Sequence, residues 1–248
     1  MKDNRDSGAD RGFREWRQRI GNFNQHNRRL WVESIARGLP SRSRVIDVGA
    51  GSGQYRGLFA HCEYLTQDFA QEPSTIGLYT PLDYISDIAA IPVPNASFDV
   101  VLCTEVLEHV PEPIKAVNEM SRILRSGGHL YLSAPLGSWL HQEPYHYYGG
   151  YTPHWYRRFL AAAGFEIQSI EPNQRFFSAF GQEALRFVEV VDPRNGRTRE
   201  FVPRLVLGIL WLAAFPLSRV AAMLAPRLDR LELEQIATVG YHVTAIKR

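Results

Sequence analysis

Hydrophobic positions along this chain fall into two regimes, short unbroken apolar runs and longer stretches with a helical repeat. Val45 to Gly53 reads VIDVGAGSG, the pattern of a buried parallel strand entering a tight glycine turn and then a helix. Tyr64 to Gln67 predicts a second strand, Asp83 to Pro94 a third short one ending at Asp87-Ile88, and Phe98 to Cys103 a continuous apolar fourth. An amphipathic helix is predicted from Ile114 to Leu124, and RSGGHLYLSAP then carries a Gly-Gly turn into strand five. The helix Pro153 to Ala163 leads into strand six, Phe165 to Ile170, and Tyr241 to Lys247 is the last strand. Ahead of these, Phe13, Trp16, Ile20, Phe23, Leu30, Trp31 and Ile35 recur near helical spacing and predict a helix over 13–39. The polar first dozen residues predict disorder.

Strands six and seven are separated by an apolar stretch, FVPRLVLGILWLAAFPLSRVAAMLAPRLDR, with no charge between Arg204 and Arg219. That uncharged run is shorter than the ~20 residues of a spanning helix, and Pro216 is expected to interrupt it. It reads as a helix covered by the core or by a second copy, as an interfacial membrane segment, or as a re-entrant pair divided at Pro216. Arginines at both flanks favour an anionic membrane surface.

The glycines carry the first chemistry. Gly49, Gly51 and Gly53 follow Asp47 as D-x-G-x-G-x-G, whereas a dinucleotide turn asks for G-x-G-x-x-G. Alone, this motif leaves a nicotinamide cofactor open. Asp68, at the end of strand two, is the acceptor-only carboxylate that a ribose diol needs. Four motifs in this order, from Arg44 to about Glu171, resemble class I S-adenosylmethionine-dependent methyltransferases, and among them the broad type 11 family. The resemblance implies an α/β, doubly wound, Rossmann-like seven-stranded sheet with its last strand antiparallel. It also implies that S-adenosylmethionine is held by Asp47, Gly49, Ala50, Gly51, Gly53, Asp68, Phe69, Asp87, Ile88, Thr104 and Glu105. In that family an acid at the position of Asp87 accepts from the adenine amino group, and the residue after it packs on the ring. The expected organisation is a tail and cofactor-covering helix (1–40), a cofactor-binding core (41–171), an apolar helical insertion (172–237) and a final core strand (238–248).

Composition narrows the partners. Lys and Arg number 28 against 26 Asp and Glu, so the net charge of +2 gives no electrostatic case for nucleic acid. The arginines of the N-terminal helix, Arg28 and Arg29 among them, are read as a solvated face. Cys62 and Cys103 have neither metal spacing nor a disulfide framework, and the N-terminus lacks an apolar signal core. A cytoplasmic protein, in contact with membrane through 201–226 or paired as a homodimer, is the expectation.

The substrate side is expected in Leu136 to Tyr156, which follows strand five and is dense in His and Tyr. Methyl transfer to an alcohol or phenol calls for a base, and His141, His146 and then His109 are the candidates. His141, Glu143, His146 and His154 also offer metal-ligand chemistry, but their spacing is wrong for a helical zinc motif, and no metal is expected. After strand four the chain reads TEVL, without the D/N-P-P-Y/F run of amino-methylating nucleic-acid and protein enzymes. The EVLEHVPEP run resembles that of ubiquinone-pathway O-methyltransferases. Oxygen methylation of a small molecule, glycan or lipid-linked acceptor is the expected function, and a non-catalytic cofactor-binding scaffold acting through the insertion is the alternative.

Overall fold

A computed structural model describes residues 22–70, 81–195, 201–231, 234–235 and 237–248. It divides into two compact units, one of residues 28–173 and 239–248, the other of residues 174–238 with the described residues before Arg28.

The first unit is a seven-stranded sheet in the order β3-β2-β1-β4-β5-β7-β6. Its strands are β1 (Arg44–Val48), β2 (Glu63–Asp68), β3 (Tyr84–Ile85), β4 (Phe98–Thr104), β5 (Leu124–Pro135), β6 (Phe165–Pro172) and β7 (Gly240–Lys247). β1 to β5 pair in parallel, and β7 runs antiparallel to both β5 and β6. The expected seven strands with the last reversed are therefore present. Strand three is shorter than the sequence suggests. Asp87 and Ile88 lie in the loop just past β3, where Asp87 accepts from the backbone N–H of Ala89 at 2.8 Å in place of a strand ladder.

Both faces of the sheet are covered, which is why β1 and β4 read as unbroken apolar runs. On one face Ile46, Val101 and Leu130 pack with Met120 of α2 (Pro113–Ile123) and Leu160 of α3 (Pro153–Ala162). On the other, Val45, Val100 and Leu102 pack with Val32 and Ala36 of α1 (Phe23–Gly38). The part of the expected N-terminal helix before Asn22, and the tail ahead of it, lie outside the described residues. Order reverses between β1 and β4, which open away from each other toward β2 and β5. The carboxyl ends of this pair form the crevice where such sheets take ligands.

The second unit is built on α4 (Phe176–Val190) and α5 (Phe201–Leu228). Asp229, just past α5, accepts from the backbone N–H groups of Ser178 and Arg175 and from the Ser178 hydroxyl. A carboxylate thereby sits on the otherwise unpaired N–H groups that open α4. Gly181 lets the helices approach closely, since a Cβ there would lie 3.2 Å from Ala222 Cα. The expected break at Pro216 does not occur. α5 runs through Pro216 and Pro226 as one helix, because proline removes one N–H from the ladder and leaves the others in place. Val202–Leu231 is long and apolar enough to cross a membrane by length and composition, contrary to the expectation drawn from its uncharged run. The face carrying Ser218, Ala222 and Ala225 is buried, while Leu205, Ile209, Leu212, Leu217 and Val220 are exposed.

Candidate active site

At the carboxyl ends of β1, β2 and β4 lies a cavity of about 480 Å³. Its floor is the glycine turn. Gly49, Gly51 and Gly53 all have positive φ, and Gly49 also has no room for a side chain, since a Cβ would meet Val106 at 2.4 Å. The N–H groups of Gly49 and Ala50 both donate to the Gln67 carbonyl, at 2.8 and 3.0 Å, which ties the turn to β2. A Cβ on Gly51 would meet no protein atom within 4 Å. The turn is thus bare where it lines the cavity.

Asp68 accepts from the N–H of Gly51 through one oxygen and from that of Ala70 through the other, both at 2.9 Å. Each oxygen keeps a lone pair for a hydroxyl donor, as a ribose would supply. Gln67 adds a feature that sequence reasoning missed. Its side-chain nitrogen donates to the Ser86 carbonyl at 2.7 Å, while its Oε1 is buried without a partner, an acceptor that a ligand N–H would satisfy. Phe69, Asp87, Ile88 and Glu105 also line the cavity. A nucleoside with an amino group fits this donor and acceptor set.

Four of the expected cofactor residues stand back from the cavity: Asp47, Ala50, Gly53 and Thr104 do not line it. Asp47 lies in β1 with its carboxylate buried, and it receives the Tyr64 hydroxyl. Burial raises it to about 7, against the pull of Tyr64, with the Asp68 charge adding to the rise. It shapes the turn from behind. Ala50 and Gly53 bond to each other across the turn (2.9 Å, backbone), and Thr104 ends the β4 ladder opposite Ser133. Glu105 adopts φ +54°, a left-handed conformation rare for a non-glycine residue. It is held there by the Ser133 hydroxyl at 2.9 Å and the Arg28 guanidinium at 3.1 Å. Arg28 is therefore no part of a solvated face, and it links α1 to Glu105 in the cavity wall. Among the described residues, none of α1 lines the cavity itself.

The loop after β5 is sewn to the loop after β4. Tyr147 and Tyr148 donate their backbone N–H to the Glu108 carbonyl, the Tyr151 hydroxyl donates to the Leu107 carbonyl at 2.7 Å, and that of Tyr148 donates to Pro111. Tyr145 packs edge-on against Phe69, 5.1 Å between centroids, and so reaches the end of β2. These tyrosines act as struts between loops, and of Leu136 to Tyr156 only Gln142, Tyr145 and Tyr147 line the cavity. Helical or strand periodicity carries no sign of such loop-to-loop bonding.

The three candidate histidines come together. His109 lines the cavity; its ring centroid is 4.8 Å from that of His141 and 5.9 Å from that of His146, which are 4.6 Å apart. His109 Nδ1 lies 2.7 Å from the Tyr145 carbonyl, which can only accept, so the proton is on Nδ1 and Nε2 carries the lone pair. Burial, and beyond it the neighbouring His141 and His146, lower His109 below the usual histidine range. His146 is lowered too, by burial and by His141. Beneath them Glu108 is buried, and its carboxyl is raised by burial first and by Glu105 second. Of the residues weighed for a metal from spacing, His141 belongs with Glu108 and His109 in a convergent donor group, whereas Glu143 and His154 are not in it.

A family model for a methyltransferase domain, type 11, matches residues 46–132. Over 114 residues the chain is 32% identical to a ubiquinone biosynthesis O-methyltransferase of Acinetobacter baumannii, covering 42% of this chain and 48% of the relative. The chain thus spans about half the length of the curated relatives it matches. Among solved structures, the [4+2]-cyclase SpnF superposes with a TM-score of 0.55 at 20% identity, covering 89% of this chain and 81% of the other. A Haemonchus contortus phosphoethanolamine N-methyltransferase, solved with phosphomonomethylethanolamine and S-adenosylhomocysteine, superposes at 0.52 and 17%, covering 89% and 52%. At these identities the structural likenesses speak for the fold. Residues 46–132 thus match the type 11 methyltransferase domain, and the seven-stranded sheet with its last strand reversed that carries them has the fold of class I S-adenosylmethionine-dependent methyltransferases.

Proposed function

We propose that this protein transfers a methyl group from S-adenosylmethionine to a hydroxyl of a small-molecule acceptor, with the histidine cluster accepting the hydroxyl proton. The cofactor supplies an activated methyl on a sulfonium. Gly49, Gly51, Gln67, Asp68, Phe69, Asp87 and Ile88 would hold it, on the evidence of an open glycine turn, a carboxylate with free lone pairs and an orphaned amide oxygen. One observation carries the choice of oxygen: His109, with an Nε2 lone pair fixed by the Tyr145 carbonyl, shares the cavity with these residues and gathers His141 and His146 against it. A neutral imidazole at physiological pH is the side chain suited to take a hydroxyl proton. The match to O-methyltransferases over part of the chain supports the same reading.

The acceptor is proposed to be lipid-linked, as a prenylated ring or sugar would be. Support comes from α5, which is long and apolar enough to meet a membrane and exposes Leu205, Ile209, Leu212 and Leu217. Arg204 near its start and Arg219, Arg227 and Arg230 farther on suit anionic headgroups.

The test uses the purified chain, methyl-labelled cofactor and paired phenolic acceptors with and without a prenyl tail. Label is expected on oxygen, preferentially in the prenylated member. Replacing His109, His141 or His146 singly by Ala is expected to lower turnover by about 10² to 10⁴ for the proton-accepting member, with S-adenosylhomocysteine affinity retained. Label on nitrogen or carbon, or full turnover in all three variants, would refute the assignment.

A further inference from the structure

We propose that an open groove beside the first turns of α5 holds one anionic phospholipid of a bilayer leaflet, with its phosphate on Arg194 and Arg204 and an acyl chain along Leu205, Ile209 and Leu212. The groove encloses about 560 Å³, and every residue lining it belongs to the second compact unit. It shares no residue with the cofactor cavity, so the lipid site goes beyond the methyl-transfer reading and does not rest on it.

Two of the lining residues are cations, and they are prepared differently. Arg194 is held by Asp192, with Nε 2.9 Å from Oδ1 and Nη2 2.6 Å from Oδ2, and its guanidinium lies over the Trp211 ring, 4.9 Å from the centroid. A guanidinium has five N–H donors, so a pairing that uses two leaves the others for an anion. Arg204 is exposed and has no ion pair among the described residues. Two guanidinium groups beside one carboxylate leave a single net positive charge, the complement of a phosphodiester, and the planar fork of arginine matches phosphate oxygens.

The rest of the groove is apolar. Leu205, Ile209 and Leu212 stand at i, i+4 and i+7, a stripe ~10 Å long on one helix face, and all three are exposed. Gly208 keeps the groove open between them, since a Cβ there would meet no protein atom within 4 Å. Trp211 joins a flat apolar ring to one N–H, the combination found at the headgroup level of membranes. α5 carries arginines and no acid, so none of its own charges repels an anionic leaflet. A nucleic acid or an acidic peptide would satisfy the guanidinium groups and leave the stripe in water. A second copy would cover the stripe, but its α5 has no acid to offer the arginines.

The experiment is calorimetric titration of the full chain with dihexanoyl-phosphatidylglycerol below its micelle concentration, repeated in the presence of inorganic phosphate. One lipid per chain is expected, with phosphate unable to displace it. Arg204→Gln, at an exposed position, should weaken lipid binding at least about 10-fold, the scale of a hydrogen bond to a charged group, while Arg227→Gln, the same loss of charge farther along α5, leaves it unchanged. Gly208→Leu fills the groove yet adds apolar surface, so a discrete site predicts loss of binding where general insertion predicts a gain. Equal losses in the two arginine variants, retained binding in Gly208→Leu, or displacement by phosphate overturns the lipid site. Absence of saturable lipid binding, with dimers forming as concentration rises, overturns it too and assigns the stripe to a second copy. Failure of the wild type to bind S-adenosylhomocysteine counts against the methyl-transfer reading alone and leaves the lipid site standing.

Discussion

Asp68 and Asp47 look equivalent in the chain, each an acid closing a parallel strand, yet they do different work. Asp68 keeps lone pairs toward the cavity, so Asp68→Ala is expected to weaken S-adenosylhomocysteine binding by about 1.5 to 3 kcal/mol in calorimetry. Gly51→Val should abolish binding, since its side chain would stand in cavity space and in a left-handed backbone. Asp47 was legible as an important acid from its place before the glycines. That it faces Tyr64 instead of the ligand was not, because Tyr64 lies in another strand and side-chain direction depends on register. His242 shows a second hidden setting. Its ring is stacked on Trp31 at 4.5 Å, and burial, with the Arg28 charge second, lowers it to about 4. A lowered histidine favours folding while it stays neutral, so its contribution is complete above the ordinary value of about 6.5 and is lost as pH falls toward 4. Relative to His242→Phe, which keeps the stacked ring, denaturant unfolding should show the wild type losing about 3 kcal/mol across that window. Parallel curves for the two proteins would disprove the assignment.

Among the elements, those made by backbone pattern were legible and those made by side chains reaching across loops were not. β1 and β4 appeared as apolar runs because both faces of each are covered, and α2 through its amphipathic repeat. β3 was overestimated because Asp87 gives its loop an alternative hydrogen bond that apolar patterning does not register. α5 was underestimated because Pro216 is a breaker only where packing does not outweigh one missing bond. The pairing of α4 with α5 makes a direct test of that packing. Asp229→Ala removes the acceptor for two backbone N–H groups and one hydroxyl, and should cost about 1 to 2 kcal/mol, the scale of a lost helix cap. Gly181→Leu should cost more, by forcing apart helices in contact at Ala222. Hydrogen exchange confined to 174–231 is the readout, since neither residue belongs to the sheet unit.

For the whole molecule, the sequence told of one sheet and one apolar insertion, and two compact units are what the chain forms. The exposed apolar residues of α5 call for a cover, and an anionic membrane surface, one of the covers expected from the sequence, makes a measurable demand. The chain should float with anionic vesicles at low salt and less so at high salt, and Leu207→Glu or Trp211→Glu should reduce flotation. Retention in the supernatant at low salt would exclude lipid and direct attention to pairing of α5 with a second copy.

The position of β7 between β5 and β6 also sets a timetable. The strand that joins the edge strand β6 to the rest of the sheet follows the apolar helix in the chain, and it pairs along its length with β5 and β6. During synthesis α5 therefore leaves the ribosome while β5 and β6 still have open edges, and the sheet can close only after the insertion has been made. For such a chain, a surface that receives α5 early would also shield unfinished strands from one another.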